Sequence, residues 1–501
     1  MLKRVFAVVL VTCVTIFVCV TRHWPFVGDE AIIRYVNFLM HHGMAPYRNI
    51  VDINMPGAYA VDWLAVHVFG SGSLAWRMFD FTLMGVATAA AMVIAWPYDW
   101  FAGIYCSALF ILIHGRDGVA QTGQRDLTIS VLVLAAAALL LYARRNNCWA
   151  ATALFGVCCG FASAIKPTVL PLGFVLLLMF AIELQREKFP ILRHVISGII
   201  GLLVPLLLVV LFLTREHAMP AFMYTLNTLI PYHASIGRLP LSYFLLHSFA
   251  WAILPIVLLW LVVAVMKKDW QSWERAVLLI CLGFGLLSLV AQGKGYPYHR
   301  YLSEAFLLLL AGIDFTGALR DRGILKILGA AGLIFGVFVL APVSTIKAAQ
   351  YQWKNQEFRT MLENDLNGLG GRNLSGQIQC MDTVGGCVAT LNQMQLVQAT
   401  GFLYDCYLFA DKPGPVQEEY RARFWAALEK NPPKIFVLTN ELCTNEPSSF
   451  QKVQRWPQFD EYLRANYAMD MQRTPPDEVL WWSRSMLPDS YRIYVRKGNQ
   501  P

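Results

Sequence analysis

Apolar residues run unbroken through long stretches of this chain, and the lengths of those runs set the first expectation. Runs near the ~20 residues that a helix needs to cross a bilayer recur at about 5–21, 74–96, 100–114, 127–143, 149–165, 168–184, 195–214, 243–266, 276–291, 301–317 and 324–343. They predict about eleven membrane-spanning helices. The pattern changes between residues 23 and 73. There Ile32, Ile33, Val36, Leu39 and Met40 fall on one helical face, and Arg34, Asn37 and His41 on the other. This predicts an amphipathic helix lying in the membrane interface, with Asp29 as its N-cap and Gly43 closing it. Pro46, Pro56 and Gly57 break the helix pattern in APYRNIVDINMPG. After residue 344 the long apolar runs end. IQCMDT, GFLYDCYLF and KIFVLTN read as short buried strands, and VATLNQMQLVQA, VQEEYRARFWAALEKN and FDEYLRANY as helices. The expected fold is thus an α-helical polytopic membrane protein: a transmembrane region, 1–344, with an interfacial loop at 23–73, followed by a small extracytoplasmic α/β domain, 345–501.

Composition agrees with that class: 56% of residues are hydrophobic and 15% charged, against about 25% charged in soluble proteins. The net charge of +8 would suggest nucleic acid in a soluble protein; here it is topological. With MLKR inside, basic clusters end the even-numbered spans from the fourth on: Arg144 and Arg145; Arg186, Lys188 and Arg193; Lys267, Lys268 and Arg275; Arg320, Arg322 and Lys326. By the positive-inside rule the C-terminus then lies outside. The run after MLKR is followed by CVTRHW without a small-x-small cleavage site, so an uncleaved first span is expected. Seven of the 11 cysteines sit in or beside spans; Cys380, Cys387, Cys406 and Cys443 fall in the C-terminal region, where one or two disulfides are compatible with an outer location.

Candidate chemistry lies in the outer loops. The stretch 28–57 of the first holds three acids: Asp29, Glu30 and Asp52. The second, HGRDGVAQTGQRD, holds Arg116, Asp117, Arg125 and Asp126; the third turns at Lys166; the fourth includes Tyr232 and His233; the fifth, QGKGYPYHRY, holds Lys294, Tyr296, Tyr298, His299 and Arg300. Cations outside run against the positive-inside bias. In the fifth loop Lys294 and Arg300 offer charge, and Gly293 and Gly295 give a phosphate access to the backbone. The plainer alternative is an interfacial anchor of tyrosine and basic residues. Helix capping explains GQRD, and a cap with a first-turn acid explains Asp29 and Glu30, equally simply. No HExxH, paired CxxC, GxSxG or nucleotide-binding fingerprint occurs.

The acidic pair after the first span, the helix, and HG-x-x-PYR-(x)3-D-x-N-x-PG at 42–57 together resemble the first outer loop of the GT-C membrane glycosyltransferases, in the bacterial branch of aminoarabinose transferase and the protein mannosyltransferases. GQRD, the KP at Lys166 and GKG-x-PYHR follow in the order found in that branch. The resemblance implies an inverting enzyme of the bacterial inner membrane. It would take a sugar from a polyprenyl phosphate and attach it to a lipid, glycan or protein acceptor on the outer, periplasmic face. It implies Asp29 as general base, Glu30 and Asp52 in support, and Arg125, Lys166, Lys294 and Arg300, with Tyr296, Tyr298 and His299, around the donor phosphate and lipid. Arg116, Asp117, Asp126, Tyr232 and His233 would serve the acceptor or positioning. Some members use a divalent cation, Mg or Mn, and the sequence leaves that open. The rival classes are a lipid-linked oligosaccharide polymerase or ligase, expected to carry a large late outer loop, and a transporter or flippase, expected to carry internal repeats.

Overall fold

A computed structural model describes residues 2–26, 28–267, 272–350, 355–382, 386–441, 446–474 and 490–498. The chain begins with α1 (Leu2–Thr21), α2 (Asp29–His41), α3 (Pro56–Phe69), α4 (Ser73–Ala95), α5 (Trp100–Asp117), α6 (Arg125–Asn146), α7 (Trp149–Ile165), α8 (Leu170–Arg186) and α9 (Ile191–Arg215). Eight helices among the described residues are long and apolar enough to cross a membrane, and the bent pair Leu241–His247 and Trp251–Lys267, 47° apart, makes nine. The other two expected spans form helices that fall short of that mark. α7 has 17 residues because Pro167 follows it, and α5 ends on the polar His-Gly-Arg-Asp. Helix Tyr301–Ala318 and α6 are buried on nearly all sides at the centre of the bundle, with α1 and α9 at its edge.

Packing follows side-chain size. A Cβ on Gly156 or Gly160 of α7 would stand 2.2 or 2.3 Å from the α9 carbonyls of Gly198 and Leu202, so glycine lets these two backbones touch. α6 and α7 run in opposite directions. Lys166 at the end of α7 meets Gln292 at the end of helix Trp273–Gln292, while Arg145 at the end of α6 meets Glu274 at that helix's start.

Two local expectations change for α2. Gly28, at φ +82°, holds the cap position, and Asp29 is the first helical residue instead of the cap. The helix does not lie with a polar face on water: Glu30 to Leu39 are all buried. Arg34 and Asn37 point at Asp62 of α3, at 2.9 Å each, and the apolar side packs under the C-terminal helix Gly386–Met394. The periodicity distinguished two faces but could not distinguish water from a buried carboxylate.

The C-terminal region carries one four-stranded sheet, order β1-β2-β4-β3, of β1 (Ile378–Met381), β2 (Ile435–Thr439), β3 (Tyr467–Arg473) and β4 (Tyr491–Arg496); β1 and β2 are parallel and the other pairs antiparallel. IQCMDT and KIFVLTN supply strands as expected. GFLYDCYLF does not: Phe402 makes only an isolated bridge to Val51, and Cys406–Phe409 is a short helix. This stretch is buried on every side, and an apolar run without alternation reads alike for strand and helical turn. Cys380 is bonded to Cys387, and Cys406 is also disulfide-bonded; Cys443 lies outside the described residues.

Candidate functional site

The start of α4 organises the loop before α6. Asp80 accepts the Gly123 N–H at 2.7 Å and meets His114 at 3.2 Å, while Arg77 binds Asp80 and the Thr21 hydroxyl and carbonyl. Trp76 donates to the Thr122 carbonyl at 3.0 Å. A Cβ on Gly123 would stand 2.4 Å from the Trp76 ring, and its φ is +65°, so only glycine serves this turn. Arg125, the first residue of α6, is thereby fixed, and its N–H donates to Glu30 at 3.1 Å. Glu30 is 2% exposed, and burial pushes its carboxyl up to about 8 against the pull of Arg125.

Beside this anchor stands Asp29, its side chain 33% exposed. Its Oδ2 receives the Tyr298 hydroxyl at 3.3 Å and lies 3.6 Å from the Arg125 guanidinium. Arg125 also donates to Asn54 Oδ1, and Asn54 Nδ2 donates to both Asp52 oxygens at 2.9 and 3.0 Å. Asp52 is fully buried and further receives Tyr59 at 2.7 Å, Tyr404 at 2.8 Å and the Ile53 N–H at 2.7 Å. Of Asp29, Glu30 and Asp52, only Asp29 has a carboxylate that is partly accessible and loosely held.

The cations divide into three groups. Lys166 binds Asp126 at 2.5 Å and Gln292 at 2.8 Å, next to Arg125 and within electrostatic reach of His299. Among the described residues His299 Nδ1 and Arg125 Nε are buried without hydrogen-bond partners, and Tyr296 and Tyr298 stack at 5.2 Å. Lys294 turns from the mouth of the site: its Nζ donates to the carbonyls of His233, at 2.8 Å, and Ile236. Burial, with Arg238 and Lys412 near, lowers its pKa to about 8. His233 meets Tyr407 at 3.0 Å and is held neutral, near 3, by burial, and Tyr232 donates to the Lys412 carbonyl at 3.2 Å. Arg300 faces into the bundle, 3.6 Å from both Asp117 and Glu304, with Arg116 half-buried on the same helix end as Asp117.

The structure therefore gathers Asp29, Arg125, Asp126, Lys166, Tyr298 and His299 at one mouth, sets Lys294 and His233 beside it, and pairs Arg300 with Asp117 and Glu304 away from it. Asn54, Tyr59, Asp80, Tyr404 and Tyr407 were not among the expected site residues. Arg77 and Asp80 carried a usable signal, as charges inside an apolar run. Among the described residues no group of three His, Cys, Asp or Glu side chains converges as a metal site. With Asp52 committed to hydrogen bonds and Glu30 to the α6 backbone, the loop's acids do not form a divalent-cation cage. What the gathered set offers is a base beside fixed cations, the requirement for attack by a hydroxyl with departure of an anion.

No family model matches the sequence, and no curated protein matches it. Solved structures do. ArnT from Cupriavidus metallidurans, bound to undecaprenyl phosphate, superposes with a TM-score of 0.57 at 12% identity, over 99% of this chain and 98% of that one. The oligosaccharyltransferase of Archaeoglobus fulgidus tethered with an acceptor peptide gives 0.53 at 13% identity, over 96% of this chain and 74% of that one. The archaeal oligosaccharyltransferase AglB from the same organism, in complex with an inhibitory peptide and a dolichol-phosphate, gives 0.51 at 11% identity, over 87% of this chain and 69% of that one.

Proposed function

From the GT-C fold of this multi-pass membrane protein we propose a polyprenyl-phosphate-sugar-dependent inverting glycosyltransferase acting on the outer face of a bacterial inner membrane. The observation that carries the reading is the pairing of one partly accessible carboxylate, Asp29, with the fixed guanidinium of Arg125 at the mouth of the bundle. In the reaction, Asp29 takes the proton of the acceptor hydroxyl as its oxygen bonds to the anomeric carbon. The bond from that carbon to the phosphate oxygen breaks with its electron pair, and the lipid phosphate leaves as an anion. Arg125 and Lys166 stabilise it, with the charge of Lys294 further off, so no acid need protonate the leaving group. The structures bound to undecaprenyl phosphate and dolichol-phosphate support a polyprenyl phosphate as the donor's carrier. An outer location for the C-terminal domain, 345–501, is supported by its disulfide-bonded Cys380, Cys387 and Cys406, against seven free cysteines elsewhere.

The test is turnover by purified protein in nanodiscs of undecaprenyl phosphate carrying a radiolabelled sugar, scored by sugar transferred and free lipid phosphate released. Release in step with transfer supports the reading. The likeness to the Archaeoglobus protein favours a second reading, transfer of a whole lipid-linked oligosaccharide, and a parallel assay with that donor separates the two. Donor binding without consumption of either lipid overturns both and indicates a flippase.

A further inference from the structure

One segment of the C-terminal region enters the candidate site from above. Gly401 lies so close to the first loop that a Cβ would stand 1.6 Å from the Asn49 carbonyl, and Val51 donates its N–H to the Gly401 carbonyl at 2.8 Å. Behind this contact come two tyrosines whose rings lie 5.6 Å apart, Tyr404 and Tyr407. They reach different halves of the site. Tyr404 donates to Asp52 at 2.8 Å and receives Asn54 Nδ2 at 3.2 Å. Tyr407 bonds His233 Nδ1 at 3.0 Å, and the His233 carbonyl holds Lys294.

We infer that Tyr404 and Tyr407 are positioning residues of the transfer reaction, Tyr404 setting the Arg125–Asp29 pair and Tyr407 setting Lys294. The inference rests on the function proposed above. Asp52 is a fully buried carboxylate that makes no ion pair among the described residues. Such a charge is costly unless hydrogen bonds compensate it, and here they aim a neighbour. With both Asp52 oxygens and the Tyr404 hydroxyl on its Nδ2, Asn54 has only Oδ1 to offer Arg125. The guanidinium so placed faces Asp29. A phenylalanine at 404 keeps the ring and removes the hydroxyl that completes this chain. Removing the Tyr407 hydroxyl frees the loop that carries the Lys294 acceptor without touching Arg125.

The two arms predict opposite kinetic splits, which a merely structural role for adjacent tyrosines would not give. Tyr404→Phe should lower kcat by roughly 10–100-fold, the scale of a misplaced reacting group, with donor Kd within about threefold of wild type. Tyr407→Phe should raise donor Kd by roughly 3–10-fold, the scale of one lost hydrogen bond, with kcat within about threefold. Thermal midpoints of both variants in nanodiscs control for folding. Equal changes in kcat and Kd that follow the folded fraction, or no change in either, overturn the inference. If wild-type protein transfers no sugar, the proposed function fails instead; the inference falls separately when wild type is active and the split is absent.

Discussion

Where α6 ends, Arg275 grips Asp314 at 2.6 and 2.7 Å, Arg145 meets Glu274 at 2.9 and 3.1 Å, and Arg144 meets Glu187 at 2.6 Å. Where α6 begins, Asp29 stands 3.3 Å from the Tyr298 hydroxyl and 3.6 Å from Arg125. The same residue types serve both ends, and the difference is in how tightly they are held. Charges at the first end are spent on one another, which fixes helix to helix across the bundle. At the second end every neighbour of Asp29 is anchored: Glu30 by the α6 backbone, Asp52 by two tyrosines and Asn54, Lys166 by Asp126. Asp29 itself keeps room for a partner that is not protein. The loosely held Asp29, inside a frame of anchored neighbours, marks the proposed site.

The sharpest way to break this contrast is Asp29→Asn. It should lower turnover by roughly 10²–10⁴-fold, the range for a lost general base, with the thermal midpoint unchanged, because no close bond is lost; a large fall in midpoint would put Asp29 with the structural pairs. Asp314→Asn tests the opposite end. Removing one partner of the buried Arg275–Asp314 pair should cost about 3–5 kcal/mol of stability, with kcat per folded molecule retained. Lys166→Ala against Arg300→Ala sharpens the division among the cations. The first should weaken donor binding by roughly 10–100-fold, equivalent to about 1.5–3 kcal/mol, and the second should spare donor binding while lowering stability, as Arg300 pairs inward with Asp117 and Glu304.

The last test concerns Glu30. Its pKa rises from 4.5 to about 8 on folding, so between those values the folded protein binds more protons than the unfolded chain. Stability should therefore fall as pH rises through that window. Glu30→Gln should flatten that slope in denaturation measured from pH 4.5 to 8; an unchanged slope would place the titration elsewhere.

Much of the fold is legible in the sequence. Apolar run lengths locate the helices, because that signal is local, and the acids and cations between them fall in the loops that the structure brings together. What stayed illegible was pairing. Lys294 reads as a cation free for an anion, because nothing near it in sequence betrays the His233 and Ile236 carbonyls; Arg300 has Glu304 four residues on, but Asp117, its other partner, is far off in the sequence. Tyr404 lies 352 residues from Asp52, so no pattern in either segment announces their bond. The polar face of α2 misled for a related reason, its partner Asp62 being one more charge in an otherwise apolar helix.

The cover over α2 has a consequence for the making of the protein. The Tyr35 hydroxyl donates to the Leu396 carbonyl, 361 residues later, and Val51 waits likewise for Gly401. At a synthesis rate of about 5–20 residues per second, roughly twenty to seventy seconds separate α2 from the segment that closes over it. During that interval the first loop is already made yet lacks its roof, so a chain stopped between residues 350 and 396 carries all the apolar helices described above without the contacts that cover α2. The contacts from Leu396, Gly401 and Tyr404 to the first loop can form only once the last third of the chain is under way.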